Sequence, residues 1–394
     1  MRIDVFFDVY PHPAKPYFEA QLSEWRRQGH VLRLFSLGQI PGASSQFDFT
    51  FIDTLRQRPL QLARKVAMRI LTQPSRCRRI WRAERGLASK VKRLVTDAQL
   101  PTDTPDVFFM HNLATAVHFS YLRHAAPHTR LAIYYHGGEI PGVRQIPLEV
   151  SAPTLGRADV IFSNTEASVN EVIGRGAPRE RTARIPVGFP LERFVPPADR
   201  TYLPDQRWRF VCLGRMAPEK GFDVALRAFA ALRAHIPSFE VAFIGGGPQL
   251  QRLQGLSHEL ALDDIVRFLG HIAFPELITL LAHFDALVIA SLPVAGSNWT
   301  ETQATVMQEA MLMRTVVVAA DIGGVRESLP AALHPYLYPP GSVTELTDRL
   351  ISLASCNGET LRQLSAIARE FVLTHYDIRT INERLLYHLG SVAT

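Results

Sequence analysis

Two glutamates, Glu301 and Glu309, bound the stretch ETQATVMQE, which holds no other acidic residue. Carboxylate oxygens accept hydrogen bonds from the hydroxyl groups of ribose and other sugars. Glu309 is expected about two turns into a helix that begins near Thr302, with apolar residues around it, so it is not obviously open to solvent. Most helical glutamates, in contrast, lie on the surface. The pair therefore predicts either a site for hydroxyl groups or two solvated charges.

Two cations, Arg215 and Lys220, stand five positions apart in LGRMAPEKG (213–221), directly after an apolar run. Glycines frame the two cations, and a helix is expected to begin just after them. The N-terminus of a helix binds phosphate groups well, and so do the side chains of Arg and Lys. The segment therefore predicts a diphosphate site, and a basic loop with solvated side chains is the alternative.

Two further turns follow apolar runs in the same half of the chain. IGGGPQLQRL (244–253) places Gly246 and Gly247 before a proline that suits the first position of a helix. VRFLGHI (266–272) ends in His271 and Ile272, whose backbone could bond the edge of a nucleobase. Turns of this kind are common between strands and helices, so an ordinary turn is the alternative for both segments.

Apolar runs of strand length alternate with helix-length segments along most of the chain, which indicates parallel sheets covered on both faces. In the first half, strands are predicted at 2–7, 31–37, 106–110, 131–135, 159–163 and 183–187. In the second half, strands are predicted at 209–214, 240–247, 265–270, 285–290 and 315–320. Ligands bind beyond the carboxyl ends of the strands in such sheets, which is where the four motifs lie.

A proline-rich break separates the two series of strands. The segment 186–206 holds five prolines and no sustained periodicity, which is typical of a linker. We therefore predict an α/β protein with two Rossmann-like domains whose parallel sheets face an interdomain cleft. The predicted boundaries are an N-terminal domain at 1–190, a linker at 191–206 and a C-terminal domain at 207–376, with 377–394 as a candidate to complete the first domain.

The order of these motifs resembles the retaining glycosyltransferases of family 4, which have the GT-B fold. The second half carries strand-Gly-Arg-x4-Lys-Gly, then strand-Gly-x-Gly-Pro, then FLG followed by a histidine, then Glu-x7-Glu. The first half is similar to the family through HGGE (136–139), SNTEASVNEV (163–172) and RIPVGFPLERF (184–194). Within that family, the chain resembles the bacterial sugar transferases of exopolysaccharide and lipopolysaccharide synthesis.

The resemblance implies a role for each matching residue. Arg215 and Lys220 would bind the diphosphate of the donor and stabilise the leaving group, and Glu309 would hold the ribose. Glu301 would contact hydroxyls of the donor sugar, and His136 would lie across the cleft near the transferred sugar or the acceptor. The implied catalytic residues are His136, Glu301, Arg215 and Lys220. The implied donor-binding set is completed by Gly246, Gly247, His271, Ile272, Thr302, Gln303 and Ala304.

The chain departs from the family pattern at three places. The family commonly has Glu-Gly-Phe-Gly where this chain has Glu301-Thr302-Gln303-Ala304. The glycine-rich loop after the first strand is replaced by YPHPAKPYFEAQ (10–21), whose Lys15 we assign to the acceptor side. Glu139 stands where an aspartate is frequent. The family generally needs no metal and the chain holds no Asp-x-Asp, so we expect neither a metal nor a cofactor beyond the nucleotide-sugar substrate.

Length and composition fit a folded protein of two domains, with 394 residues, 47% hydrophobic and 20% charged. Three widely spaced cysteines, Cys77, Cys212 and Cys356, argue against a disulfide framework and favour a reducing compartment. No signal peptide is apparent, and no apolar run approaches the roughly 18 residues of a membrane-spanning helix. We expect a cytoplasmic protein, peripheral on the inner face of the plasma membrane.

Basic residues concentrate between Arg56 and Leu94, where ten arginines and three lysines accompany one acid, Glu84. The rest of the chain holds 30 basic and 36 acidic residues, so the positive charge belongs to this segment. Residues 76–95 fit one amphipathic helix with a tryptophan on its apolar side, as in helices that lie on membranes. The residues predicted to contact an anionic membrane are Arg76, Arg79, Trp81, Arg82 and Arg85. Packing against the first domain is the main alternative, and nucleic acid is not an expected partner.

The sequence is therefore predicted to encode a metal-independent, retaining hexosyltransferase. It would move a sugar from a nucleotide-diphosphate sugar to a lipid-linked or saccharide acceptor in the synthesis of cell-surface polysaccharide. One alternative is an epimerase of the same fold that acts on the nucleotide sugar itself. Another is a non-catalytic protein that uses the basic segment to tether itself to a membrane or a nucleic acid.

Overall fold

The computed structural model describes residues 1–12, 16–52, 59–137, 146–203, 207–296 and 299–390. These residues form two parallel sheets, each with helices packed against it, which confirms the predicted α/β architecture of two Rossmann-like domains. The first sheet has the strand order β3-β2-β1-β4-β5-β6-β7, and the second has the order β10-β9-β8-β11-β12-β13. The bounds of the strands and helices are as follows.

The strands of the first sheet are β1 (Arg2–Val9), β2 (Val31–Gly38), β3 (Phe49–Phe51), β4 (Val107–Met110), β5 (Arg130–Tyr135), β6 (Val160–Ser163) and β7 (Thr182–Arg184). The strands of the second sheet are β8 (Trp208–Leu213), β9 (Phe239–Ile244), β10 (Val266–Gly270), β11 (Ala286–Ile289), β12 (Val316–Ala320) and β13 (Leu337–Tyr338). The helices before the second sheet are α1 (Pro16–Arg27), α2 (Pro59–Thr72), α3 (Pro74–Ala83), α4 (Leu87–Asp97), α5 (Leu113–Phe119), α6 (Leu122–Ala125), α7 (Leu148–Leu155) and α8 (Glu166–Gly174). The helices after its first strand are α9 (Phe222–Leu232), α10 (Leu250–Glu259), α11 (Phe274–Leu281), α12 (Thr305–Leu312), α13 (Val343–Ala354), α14 (Gly358–His375) and α15 (Ile378–Gly390).

Burial on both faces explains why the strands are nearly continuous apolar runs. Along β1, the side chains of Ile3, Val5 and Phe7 join one apolar cluster, whereas Phe6 joins a second cluster on the other side of the sheet. Alternate residues of a strand point to opposite faces, so both faces of β1 are covered. Each predicted strand is present, although β7, β9 and β11 are each two residues shorter than predicted. The sequence pattern missed β3 and β13, which are edge strands of three and two residues.

Residues within the predicted linker pack against the second sheet's helices and loops. Phe194, Arg200 and Tyr202 are buried, and the Arg200 guanidinium donates hydrogen bonds to the carbonyls of Phe284 and Met313. This part of the linker is therefore anchored to the second domain by specific contacts.

The last helix returns to the first sheet's side of the molecule. α15 packs against α1, where Trp25 Nε1 donates to Asn382 Oδ1 at 3.1 Å in a buried setting. Just before α15, Asp377 forms a parallel β-bridge with Phe189.

The prediction of one amphipathic helix over 76–95 is wrong. α3 ends at Ala83 and α4 begins at Leu87, because Gly86 adopts a φ of 80°, which lies outside the helical region. The break divides the predicted apolar stripe, so that Ile80 and Leu94 are buried whereas Trp81 is exposed.

Arg76 is also wrongly predicted as a surface residue. Its guanidinium is buried and binds the carboxylate of Asp97, with Nη2 2.7 Å from Oδ1. Arg69 is buried beside it and donates to the carbonyls of Asp97 and Leu100, at the end of α4. One buried carboxylate thus joins α2, α3 and α4. A charge so placed must be paired, which is why Arg76 points inward.

No helix among the described residues is long and apolar enough to cross a membrane. The exposed apolar side chains of α2, α3 and α4 are Leu60, Met68, Ile70, Leu71, Trp81, Leu87 and Val91. These three helices therefore present apolar side chains to solvent instead of burying them in the core.

We expect Asp97→Asn to lower the free energy of unfolding by roughly 3 kcal/mol or more, because it leaves two buried guanidinium groups without a counter-charge. The control is Asp103→Asn, which removes a half-exposed partner of Arg2 and Arg33 and should cost less than about 1 kcal/mol. Urea unfolding of both variants measures the difference. Equal stability of the two variants would contradict a structural role for the Asp97 cluster.

Candidate active site

A cleft of about 350 Å³ lies between the carboxyl ends of the two sheets. Seven of the predicted site residues line it, and they come from both domains. The lining residues from the prediction are His136, Arg215, Lys220, Glu301, Thr302, Gln303 and Ala304. The cleft is thus the place where the predicted catalytic residues meet.

The turn after β8 sets the positions of Arg215 and Lys220. A single 3-10 turn, Pro218–Lys220, leads through Gly221 into α9, so Lys220 lies beside the N-terminus of that helix. Gly221 has a φ of 58°, and a Cβ there would come within 1.9 Å of the carbonyl oxygen of Ala290. Only glycine lets the turn approach the end of β11 this closely.

Both cations in the cleft are paired with carboxylates. Lys220 Nζ forms an ion pair with Glu301, and Arg215 forms one with Glu219, which is buried. Ser291 Oγ donates to Glu301 Oε1 at 2.6 Å, so the Glu301 carboxylate has two partners. Lys220 Nζ also lies 5.4 Å from the centre of the Trp299 ring, within cation–π range. These contacts hold Glu301 and Lys220 in one arrangement at the mouth of the second sheet.

His136 follows β5 on the opposite side of the cleft. Its ring stacks on Tyr134, with 4.2 Å between the ring centres. Its Nε2 lies 3.4 Å from Nδ1 of His111, a buried residue at the end of β4 that sequence reasoning missed. A histidine directly after a predicted strand, as in DVFFMH, was the available signal. The aromatic surroundings and His111 fix the orientation of the His136 ring.

The glycine turns of the second sheet lie side by side. Gly245 N donates to Gly270 O at 2.8 Å, and Met216 N donates to Gly246 O at 2.8 Å. A Cβ on Gly247 would lie 2.5 Å from Met216 O, so the close packing of these turns requires glycine there. Gly246, Gly247, His271 and Ile272 do not line the cleft, but they continue the edge on which Arg215 lies.

Glu309 lies outside the main cleft, on α12. It is 7% exposed and lines a small cavity with residues that include Phe189, Arg193 and Phe274. Burial raises the pKa of the Glu309 carboxyl from 4.5 to about 8. A carboxyl with this pKa is largely protonated at neutral pH and can both donate and accept hydrogen bonds.

Two residues named from the sequence, Lys15 and Glu139, lie outside the described residues. Four of the residues predicted to contact a membrane are exposed on α3 and the turn that follows it: Arg79, Trp81, Arg82 and Arg85. They are distant in sequence from the residues that line the cleft. The Arg79 guanidinium is partly engaged, since it donates to the carbonyls of His124 and Ala125.

The raised pKa of Glu309 predicts a pH dependence of stability. Between about pH 4.5 and about pH 8 the folded protein binds a proton that the unfolded chain has lost, so stability falls as pH rises through this range. Glu309→Gln should remove this fall, which is on the order of 4 kcal/mol. Denaturant unfolding at pH 5 and pH 8.5 measures it, with the exposed Glu359→Gln as the control. A pH dependence equal to that of the wild type in Glu309→Gln would contradict the inference.

Two family models match the chain. A glycosyl transferase 4-like domain matches residues 14–188, and the domain of glycosyl transferases group 1 matches residues 199–371. A GDP-mannose-dependent alpha-(1-6)-phosphatidylinositol monomannoside mannosyltransferase of Mycolicibacterium smegmatis is 27% identical over 77% of this chain and 79% of that protein. A D-inositol 3-phosphate glycosyltransferase of Saccharomonospora viridis is 29% identical over 54% of this chain and 51% of that protein. The chain thus spans about half the length of some of its curated relatives.

Solved structures share the fold at low sequence identity. Anabaena Alr3699/HepE, crystallised in complex with UDP, is 19% identical, with a TM-score of 0.72 and coverage of 100% of both chains. Sucrose-phosphate synthase of Thermosynechococcus elongatus is 18% identical, with a TM-score of 0.75 and the same coverage. With two family matches that together run from residue 14 to residue 371 and a GT-B fold, the chain belongs to the family 4 glycosyltransferases.

Proposed function

We propose that the protein transfers a sugar from a nucleotide-diphosphate sugar to a hydroxyl group of a lipid-linked or saccharide acceptor, with retention of the anomeric configuration. The observation that carries the proposal is the meeting of Arg215, Lys220 and Glu301 with His136 across one cleft. The proposed setting is the synthesis of cell-surface polysaccharide or glycolipid.

The donor class is supported by the chemistry of the β8 turn and by the relatives. Lys220 and Arg215 lie beside the N-terminus of α9, where a diphosphate would find two cations and backbone N–H groups. One relative is named for its dependence on GDP-mannose, and HepE has been crystallised with UDP and with UDP-glucose. Glu309 is proposed to bind the ribose. Gly246, Gly247, His271 and Ile272 are proposed to complete the nucleotide site along the same sheet edge.

The proposed reaction breaks the bond between the anomeric carbon and the oxygen of the donor's diphosphate. The electron pair of that bond stays on the diphosphate, where negative charge builds up beside Lys220 and Arg215. Preorganised cations at the point where charge develops are the main expected source of catalysis. These two side chains stabilise the leaving group without a metal ion.

The acceptor oxygen then bonds to the anomeric carbon on the face that the diphosphate leaves. The proton of the acceptor hydroxyl passes to the departing diphosphate, so charge and atoms balance. Glu301 is proposed to bind hydroxyls of the transferred sugar through the carboxylate that Lys220 and Ser291 hold. His136 is proposed to contact the sugar or the acceptor from the other domain.

An anionic membrane is the proposed surface on which the acceptor is met. Leu60 and Leu71 on α2 and Leu87 on α4 are 85%, 75% and 68% exposed, and these two helices contact α3 and each other. The exposed basic residues on and beside the same helices include Arg64, Lys65, Arg78, Arg82 and Arg85. Apolar side chains with a cationic border suit the boundary between lipid headgroups and acyl chains. We propose a peripheral protein on the inner face of the plasma membrane.

We expect Lys220→Met to lower kcat for sugar transfer about 100- to 1000-fold, because it removes a cation from the site of developing charge. The assay supplies UDP-, GDP- and ADP-sugars with and without a polyprenyl-diphosphate saccharide acceptor. Arg362→Met, which removes an exposed partner of Glu359 on α14, is the control and should keep full activity. Interconversion of the sugar without an acceptor would favour the epimerase alternative. Unchanged transfer by Lys220→Met would contradict the proposed role.

We expect Leu71→Glu combined with Trp81→Glu to reduce binding to vesicles that contain phosphatidylglycerol, since both side chains would otherwise enter the lipid interface. Co-sedimentation measures binding, and high salt should weaken that of the wild type. Tyr387→Glu changes a side chain that is 70% exposed on α15, so it controls for added charge. Equal binding of the wild type to neutral vesicles, or none to anionic ones, would argue against the membrane.

A further inference from the structure

The side chains of Thr302 and Gln303 reach across the cleft to the first domain. They belong to the segment between Glu301 and α12, on the second domain's side. Their hydrogen-bond partners follow β5, β6 and β7 of the first sheet. The same short segment thus carries a predicted sugar ligand, Glu301, and the contacts that join the two domains.

Thr302 makes three contacts at the ends of β5 and β6. Its hydroxyl donates to the carbonyl oxygen of His136 at 3.1 Å and accepts from Asn164 Nδ2 at 3.3 Å. Its methyl group packs on Gly137, where a Cβ would lie 2.0 Å from Thr302 Cγ2. Gly137 has a φ of 103°, so both its conformation and this close approach favour glycine. Thr302 therefore packs closely against the backbone of His136 and Gly137.

Gln303 makes a paired contact with the chain that enters the linker. Its Nε2 donates to Val187 O at 2.9 Å, and its Oε1 accepts from Val187 N at 2.7 Å. The side chain is 1% exposed, so all of its polar atoms depend on this backbone for hydrogen bonds. Separation of the domains here would leave a buried amide unpaired unless water entered.

A third contact, at the edge of the cleft, also joins the two domains. Glu327 accepts hydrogen bonds from the backbone N–H groups of Glu166 at 2.8 Å and Ala167 at 3.1 Å. These groups belong to the first turn of α8, whose positive end favours a carboxylate. Arg184 of the first domain pairs with the same carboxylate at 3.1 Å. The second domain therefore caps a helix of the first.

We propose that Thr302 and Gln303 form an interdomain clasp that positions His136 and Glu301 on the same sugar. They act as positioning residues: the first domain engages the polar side-chain atoms of both, so their side chains are not the donor ligands that the family resemblance implies. The reason is geometric: Thr302 bonds the carbonyl of His136 and is joined directly to Glu301, so the clasp fixes the spacing between the two. This inference rests on the proposed transfer reaction for its kinetic consequences but not for its structural ones.

The kinetic test compares Thr302→Val with Thr302→Ser. Valine keeps the packing on Gly137 but loses both hydrogen bonds, whereas serine keeps the hydroxyl. We expect Thr302→Val to lower kcat about 10- to 100-fold, because the reacting groups lose their alignment. The dissociation constant of the nucleoside diphosphate, measured by calorimetry, should stay within about 2-fold of the wild type. Thr302→Ser should restore most of kcat.

The structural test uses solution scattering of Thr302→Val and Gln303→Leu without any substrate. We expect a larger radius of gyration than that of the wild type, and Thr302→Ser should match the wild type. Weaker nucleotide binding by Thr302→Val with unchanged kcat would make Thr302 a donor ligand and overturn the clasp. Unchanged kcat and unchanged scattering in both variants would also overturn it. Wild-type protein that transfers no sugar would refute the proposed function, and the scattering result would still decide the clasp.

Discussion

The ion pair between Lys220 and Glu301 joins the two turns that build the second domain's half of the cleft. β8 and β11 are neighbours in the sheet, so the turn and the loop that follow them start from adjacent points of one edge. They meet because Gly221 admits the carbonyl of Ala290, and the chain can then turn directly into α9. The position of the Lys220 cation at a helix N-terminus and the position of the Glu301 carboxylate therefore depend on the same contact.

The pairing of charges in the cleft has a consequence for what it can bind. Arg215 and Lys220 each already face a carboxylate, Glu219 and Glu301 respectively. Under the proposed function, a free phosphate would compete with these carboxylates for the cations. It would not supply hydroxyl groups to hydrogen-bond the carboxylates that it displaces. A nucleotide sugar offers hydroxyl groups to Glu301 together with its diphosphate, so it can satisfy both members of the pair. If the protein has the proposed function, this arrangement favours the complete donor over its charged fragment.

Local sequence patterns predicted the strands, Arg215, Lys220 and Glu301, because these follow from short-range rules, whereas the other residues of the cleft were implied only by the resemblance to the family. Buried parallel strands are apolar runs, and turns at their carboxyl ends carry the polar residues. The break at Gly86 and the inward-facing Arg76 were not predicted, since amphipathic spacing alone does not reveal a partner such as Asp97, 21 residues away. Contacts between the domains are even harder to predict from local sequence patterns. Thr302 and His136 are 166 residues apart, and no periodicity links them.

The segment 301–304 is one of the places where this chain departs from its family's pattern, and the differences there support one another. Ala304 has a φ of 49°, in the left-handed region, which costs about 1–2 kcal/mol for a residue other than glycine. It is held there between Gln303, which is bonded to Val187, and the first turn of α12, where Met307 N donates to Ala304 O. Polar side chains at 302 and 303 thus stabilise a conformation that glycine would adopt freely. Thr302 and Gln303 make this segment less flexible than glycines would, and their side chains fix it to the opposite domain.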